Sequence, residues 1–66
     1  MRLIITLHAS QRMTKHGIDE NQIIRAIKQG AISKQTDGLM ARYTYIEVAY
    51  KVIGDRYIIK TVKILK

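Results

Sequence analysis

One short segment, residues 17–30 (GIDENQIIRAIKQG), constrains the fold most because both of its ends carry the signals of helix termini. Asp19, followed three residues later by Gln22, matches a capping box, in which each residue bonds the other's backbone. Ile18 and Ile23 occupy the positions of a hydrophobic staple, and the closing glycine is typical of a helix C-terminus. We therefore predict a capped amphipathic helix. Its core face comprises Ile23, Ile24, Ala26 and Ile27, with Arg25 and Lys28 directed to solvent and Gly30 at its end.

The residues before this segment predict a strand and a second helix. Residues 2–6 are apolar and β-branched, as in a short strand. Thr6 can then cap a helix over residues 7–16, which Gly17 ends in a left-handed conformation. Because only Gly17 and Ile18 separate the two helices, we expect a compact helical hairpin. The expected core contacts of the first helix are Leu7, Ala9 and Met13.

After residue 30 the pattern changes from helices to strands. Residues 31–35 predict a strand, and residues 36–40 predict a turn through an Asp-Gly pair. Residues 41–53 are strand-like throughout but long for one strand. They form either one bent strand or two strands with a break near residues 46–47, and the sequence leaves both alternatives open. Residues 54–55 (GD) predict a second hairpin turn before a closing strand.

The closing strand is predicted to be central in its sheet, because both of its faces are partly apolar. Strict alternation places four residues on one face and five on the other. The first face carries Ile58, Lys60, Val62 and Ile64, and the second carries Tyr57, Ile59, Thr61, Lys63 and Leu65.

These elements predict a single α+β domain over residues 1–66. Its expected architecture is β-α-α followed by a three- to four-stranded antiparallel sheet, with the helical hairpin packed on one face. A chain of this length buries only about 60% of the surface that its unfolded form exposes. It has no cysteine and therefore no disulfide to compensate. The core must be aliphatic and well packed, or be completed by a homo-oligomer or a tight partner.

The charge of the chain narrows the classes of partner. Twelve Lys and Arg against five Asp and Glu give a net charge of +7, a field that favours nucleic acid or an acidic protein as partner. The plain alternative is a basic surface that only keeps the protein in solution. Two histidines without a carboxylate cluster predict no metal site, and nothing in the sequence indicates another cofactor. No apolar run is long enough for a membrane span, and the opening residues lack the features of an export signal, so we expect a cytoplasmic protein.

The motif HASQRMTKHGI, the apolar helix ending in glycine and the strand IIKTVKI together resemble a family of small prokaryotic domains of unknown function. That family is usually placed near the RelE/ParE-like toxins of toxin–antitoxin systems. Its signature is a histidine, an arginine four residues later, usually a methionine beside it, and a basic residue before Gly-Ile. His16 stands where arginine is commoner. The matching residues are His8, Arg12, Met13, Gly17, Ile18, Gly30, Thr61 and Val62.

The resemblance implies a toxin-like fold, an acidic antitoxin as partner and RNA as the target. It implies the fold more strongly than the activity, because many RelE/ParE-like toxins carry functional residues in a longer C-terminal segment.

Metal-independent RNA cleavage needs a base for the 2′-OH, a cation for the phosphate and an acid for the leaving oxygen. His8, Arg12 and His16 lie at intervals of four, on one helical face. His8 lies at the positive end of the helix dipole, which favours a neutral imidazole able to act as the base. Arg12 can hold a phosphate through two parallel hydrogen bonds. His16 lies at the negative end, which suits an acid or a phosphate contact.

Two alternatives to catalysis stay open for these residues. The face at intervals of four is also what a solvated helix surface would show. A partly buried Arg12 that holds the helix to the sheet would make His8 and Arg12 structural, in a non-catalytic adaptor that binds nucleic acid or protein.

The strands carry a second basic set interleaved with tyrosines, a combination that suits phosphate contacts and base stacking. Tyrosine is also a favoured strand residue, which is the plainer explanation. Lys51 and Lys60 are expected to be cross-strand neighbours that face the first helix. The predicted nucleic-acid contacts of this set are Arg42, Lys51, Tyr57 and Lys60, to which His16 is added.

Overall fold

A computed structural model describes residues 1–65. The elements are β1 (Arg2–Ile5), α1 (Leu7–His16), α2 (Glu20–Gln29), β2 (Ala31–Gln35), β3 (Gly38–Tyr43), β4 (Ile46–Ile53) and β5 (Arg56–Ile64).

All five strands form one sheet in the order β1-β5-β4-β3-β2. The pairs from β2 to β5 are antiparallel, and β1 runs parallel to β5. The α+β class and the central position of β5 are therefore confirmed. The expected antiparallel arrangement holds for the four strands β2 to β5, but β1 adds in parallel to the free edge of β5 and makes a five-stranded mixed sheet.

The capping signals of α2 are confirmed. The Asp19 carboxylate accepts a hydrogen bond from the Gln22 backbone N–H at 2.9 Å. The Gln22 side-chain carbonyl accepts one from the Asp19 backbone N–H, also at 2.9 Å. Ile18 and Ile23, the two staple residues, are both buried in the core. Of the predicted core face, Ile23 and Ala26 are buried, whereas Ile24 and Ile27 are half-buried. The helix begins and ends where its sequence predicts.

The first helix runs over the predicted residues, from an N-cap at Thr6 to a left-handed Gly17 with φ 67°. Ala9 and Met13, one turn apart, are buried against the sheet. Leu7 was expected in the core but is 76% exposed, because it lies about 160° around the helix from Ala9.

Both helices cover one face of the sheet but rest on different strands. The first, α1, packs on β5, whereas α2 packs mainly on β3 and β4. Each helix therefore contacts the sheet more than it contacts the other, and the expected compact hairpin is wrong in this respect. The buried core between the two layers consists of Ala9, Met13, Ile18, Ile23, Ala26, Ala41, Ile46, Val48, Tyr50, Ile59 and Val62.

A bulge in β5 breaks the predicted alternation of its faces. Tyr50 of β4 pairs with Ile59, whereas the preceding residue Ala49 pairs with Thr61, so Lys60 is an extra residue. As a result Ile59 and Val62 both face the helices, and both are 0% exposed. The predicted face that grouped Val62 with Ile58 and Lys60 is wrong for this reason.

The long strand-like region 41–53 divides into two strands. β3 ends at Tyr43 and β4 begins at Ile46, so the alternative with a break is confirmed, about two residues earlier than expected. Thr44 in the turn has φ 54°, a conformation that β-branched residues rarely adopt. Its hydroxyl donates a hydrogen bond of 2.7 Å to the Tyr43 carbonyl.

The glycine that ends α2 has an unexpected reason. Gly30 has φ −79°, so it ends its helix without the left-handed conformation that Gly17 adopts. A Cβ there would lie 2.5 Å from the Ala26 carbonyl oxygen and 2.6 Å from the Arg42 carbonyl oxygen. The close approach of the α2 and β3 backbones therefore requires a residue without a side chain.

Replacing Gly30 with alanine should destabilise the fold more than replacing Gly17. The Cβ at position 30 meets backbone atoms that cannot move independently, so we expect a loss of about 3 kcal/mol. At Gly17 a Cβ meets nothing within 4 Å, and only the left-handed φ costs about 1 kcal/mol. Urea unfolding of both variants gives the comparison. Equal stabilities would contradict the close-approach explanation.

Candidate nucleic-acid interface

Thr6 fixes the position of α1 relative to the sheet. Its hydroxyl accepts a hydrogen bond of 3.2 Å from the Ala9 backbone N–H, which caps the helix. The same hydroxyl donates to the Ile59 carbonyl at 2.8 Å, beside the β5 bulge. The Thr6 backbone N–H also reaches that carbonyl, at 3.3 Å. The first turn of α1 is therefore attached directly to β5, an inner strand of the sheet.

A shallow surface pocket lies along one flank of α1, between its buried face and its exposed side. The side chains that line it are His8, Gln11, Arg12 and Lys15. His8 is exposed and Arg12 is half-buried. The two predicted catalytic residues therefore share one pocket.

His16, the third member of the predicted set, does not line this pocket. Each helical residue turns by about 100°, so Lys15, seven residues after His8, returns to nearly the same direction. His16, eight residues after His8, lies about 80° away from it and is half-buried. Spacing by four keeps neighbours together only over one turn. Lys15 and Gln11 were missed, although the seven-residue spacing of His8 and Lys15 could have indicated the former.

The cations of this pocket have no acidic partner. Within residues 1–65, the three ion pairs all involve cations of the sheet, and Arg12 and Lys15 take part in none. No side-chain hydrogen bond in the same part of the chain involves the Arg12 guanidinium. The donors of Arg12 and Lys15 are thus available to an external anion.

The predicted cations of the sheet, in contrast, are occupied. The Arg42 guanidinium lies 2.7 Å from the Glu47 carboxylate. Lys51 and Lys60 both reach Asp37 in the β2–β3 turn, with Nζ–Oδ distances of 3.4 and 3.6 Å. Lys60 also donates a hydrogen bond to the Asp37 carbonyl. These lysines converge on Asp37 instead of facing α1.

Lys51 and Lys60 are not direct cross-strand neighbours, because Lys51 pairs with Ile58. Alternation along β4 places Lys51 on the sheet face opposite the buried Tyr50, away from the helices. The expectation that both lysines complete the α1 site is therefore not met by their geometry.

Tyr57 is engaged inside the protein. Its ring stacks on that of Tyr50, with centroids 6.1 Å apart and planes 22° from parallel. Burial raises the pKa of Tyr50, and the neighbouring Tyr57 adds to the increase. One face of the Tyr57 ring is therefore not available to a base. Tyr45, at 50% exposure, is the most exposed tyrosine and lies in the turn before β4.

With the fold and this pocket established, comparison with known families identifies the chain. The domain of unknown function DUF4258 matches residues 5–63, nearly the whole sequence. The chain belongs to the DUF4258 family. No curated protein and no solved structure matches it. Membership of DUF4258 supplies no activity, and the relation to RelE/ParE-like toxins stays a prediction.

Two further properties concern only residues 1–65. No three His, Asp or Glu side chains come together there as potential metal ligands. Neither helix in that part has the length and apolar character needed to cross a membrane.

Asp37 should make the stability of the domain sensitive to acid. A hydrogen bond and the charge of Lys51, with the charge of Lys60, lower the pKa of Asp37 below its usual 3.8. A lowered pKa stabilises the fold above pH 3.8, and this contribution is lost as the pH falls through the lowered value. We expect Asp37→Asn to lower Tm at neutral pH, with the difference shrinking in acid and in high salt.

Asp55→Asn is the matched control, since it removes the same charge from a residue that forms no ion pair within residues 1–65. Parallel Tm–pH curves for the two variants would show that Asp37 has no special contribution.

Proposed function

We propose that this DUF4258 domain binds RNA through contacts between the phosphate backbone and the side chains of the α1 pocket. The observation that carries the proposal is the contrast between two sets of cations. Within residues 1–65, Arg12 and Lys15 form no ion pair, whereas Arg42, Lys51 and Lys60 each lie beside the carboxylate of Glu47 or Asp37. When Arg and Lys side chains neutralise phosphates, the counterions condensed on the nucleic acid are released, and this release drives binding.

The remaining contents of the pocket fit the same ligand. Gln11 adds an amide that can donate to a phosphate or bond a sugar hydroxyl. Among residues 1–65, no carboxylate lines the pocket, so none of its described side chains repels an anion. The net charge of +7 adds a long-range attraction for a polyanion. RNA is favoured over DNA by the resemblance to RelE/ParE-like toxins, which also suggests a cytoplasmic toxin restrained by an acidic antitoxin.

A second candidate function, metal-independent RNA cleavage, is favoured by the presence of His8 beside these cations. His8 would remove the proton from a ribose 2′-OH, and the resulting oxygen would attack the adjacent phosphorus. Arg12 would stabilise the charge on the pentacoordinate phosphate. As the bond to the 5′ oxygen breaks, Lys15 would supply its proton, a role that His16 is badly placed to fill.

A non-catalytic adaptor with structural His8 and Arg12 is the alternative. Such a role needs an internal partner for the guanidinium, and within residues 1–65 no ion pair includes Arg12. Binding without cleavage remains as the simpler form of the proposal.

Removing either cation of the pocket should weaken RNA binding. We expect Arg12→Ala and Lys15→Ala each to lower the affinity for a single-stranded RNA about fivefold at low salt. Each should also reduce the slope of log K against log salt by about 1, because one phosphate contact is lost. Fluorescence anisotropy over a salt series measures both quantities.

Arg25→Ala is the matched control, since it removes one exposed positive charge from α2. Its affinity should stay within about twofold of the parent protein. Equal losses in all three variants would reduce the effect to net charge and contradict a site on α1.

Removing His8 should separate cleavage from binding. If the pocket is catalytic, His8→Ala should slow RNA cleavage by about 10²- to 10⁴-fold while RNA affinity changes little. Cleavage should leave a 2′,3′-cyclic phosphate, continue in a chelator and stop when the attacked nucleotide lacks its 2′-OH. Intact RNA after incubation with the parent protein, and no growth arrest on its expression, would contradict the nuclease function but not the binding proposal.

A further inference from the structure

The sheet face opposite the helices carries an apolar patch, which we define as Ile4, Ile53 and Ile58. Register places Ile4 of β1 directly beside Ile58 of β5. Ile53 of β4 is the partner of Arg56, two residues before Ile58, so it lies diagonal to Ile58. Alternation puts all three on one face, because Leu3, Ile5, Tyr57 and Ile59 face the core.

The patch is exposed and lies away from both helices. Ile4 is 38% exposed and Ile53 is 52% exposed. Ile58, between them, is half-buried by its neighbours. Adjacent strands lie about 4.8 Å apart, so Ile4 and Ile58 lie side by side, with Ile53 diagonal to Ile58. Lys51, the direct partner of Ile58, lies on the same face and borders the patch. A partner that covered the patch would gain apolar burial that the chain itself does not supply.

Two positive charges beside the patch repel each other and destabilise the isolated chain. Arg2 and Arg56 are direct partners across β1 and β5, and like charges in such positions repel. Within residues 1–65 neither arginine forms an ion pair. Asp55 lies in the adjoining turn, but it contacts Arg2 through the backbone, where the Arg2 N–H donates a hydrogen bond of 2.9 Å to the Asp55 carbonyl. Carboxylates of a partner would relieve this repulsion.

We infer that this face binds an acidic amphipathic segment of another protein, with apolar side chains on the patch and carboxylates at Arg2 and Arg56. The combination of isoleucines and arginines decides between partners. A nucleic acid would use the arginines but gain little from isoleucines, and no tyrosine belongs to the patch. A second copy of this chain would bring another +7 charge to a basic surface.

The inferred surface is separate from the α1 pocket. The helices cover the other face of the sheet, so an acidic partner on the patch leaves His8, Arg12 and Lys15 uncovered. RNA and the partner can then be bound together. An acidic protein that restrains the domain from this face would have to act otherwise than by blocking the pocket.

A synthetic amphipathic helix of leucines and glutamates, a few turns long, serves as the probe. Two matched peptides replace its glutamates with glutamine or its leucines with serine. NMR titration of the full chain should show saturable shifts at Ile4, Ile53 and Ile58, and both control peptides should bind about tenfold more weakly. The shifts should persist when a single-stranded RNA is also present.

Variants of the protein supply the second half of the test. Ile4→Thr/Ile53→Thr should weaken the probe about tenfold, whereas Ile32→Thr, at an exposed position of β2, should not. Arg56→Glu should weaken it more than Arg25→Glu, which makes the same charge change on α2. Retained Tm values confirm that each variant folds.

Three results would overturn the inference. They are no saturable binding of the probe, equal binding of the serine peptide, or probe shifts centred on α1. Shifts of the patch by RNA alone, weakened by Ile4→Thr/Ile53→Thr, would assign the face to nucleic acid instead. Failure of RNA to bind α1 would contradict only the proposed function, because the probe is a peptide.

Discussion

The attachment of Thr6 to the bulged part of β5 is the contact on which the rest of the architecture depends. One hydroxyl caps α1 and donates to the Ile59 carbonyl, so the start of the helix and β5 are positioned together. The bulge at Lys60 then allows both Ile59 and Val62 to pack under the helices. Without that extra residue, one of these side chains would face the open side of the sheet.

The distribution of carboxylates determines where the positive charge remains available. Five acidic residues must serve twelve basic ones, and their positions are local. Asp19 is occupied at the N-terminus of α2, while Asp37 and Glu47 hold three cations of the sheet. Within residues 1–65, no cation of α1 and neither Arg2 nor Arg56 forms an ion pair with a carboxylate. Two of the surfaces that stay basic differ in their surroundings, since one is polar and lies on a helix and the other is apolar and lies on the sheet.

The sequence predicted what is decided locally and missed what is decided by pairing. Both ends of α2, the extent of α1 and the turn at residues 54–55 follow from short-range signals that the chain contains. The bulge at Lys60 and the parallel partner of β1 depend on strands distant in sequence, which periodicity does not register. The turn at Thr44 could not be placed from the residue type, because threonine rarely adopts the left-handed conformation found there. In the site, His8 and Arg12 share a pocket as their spacing indicates. Because a helix has 3.6 residues per turn, Lys15 lines that pocket and His16 does not.

The exclusive pairing of β1 with β5, together with the packing of α1 on the same strand, has a dynamic consequence. Residues 2–16 contact the rest of the domain mainly through β5. Gly17 connects them to the rest of the chain, and a side chain at that position would meet no atom within 4 Å. Opening of this segment would break the Thr6–Ile59 hydrogen bond and uncover Ala9 and Met13, so β1 and α1 would have to open together as one unit. A ligand bound to α1 would reduce such opening, and it would therefore slow amide hydrogen exchange in β1, a strand that it does not contact.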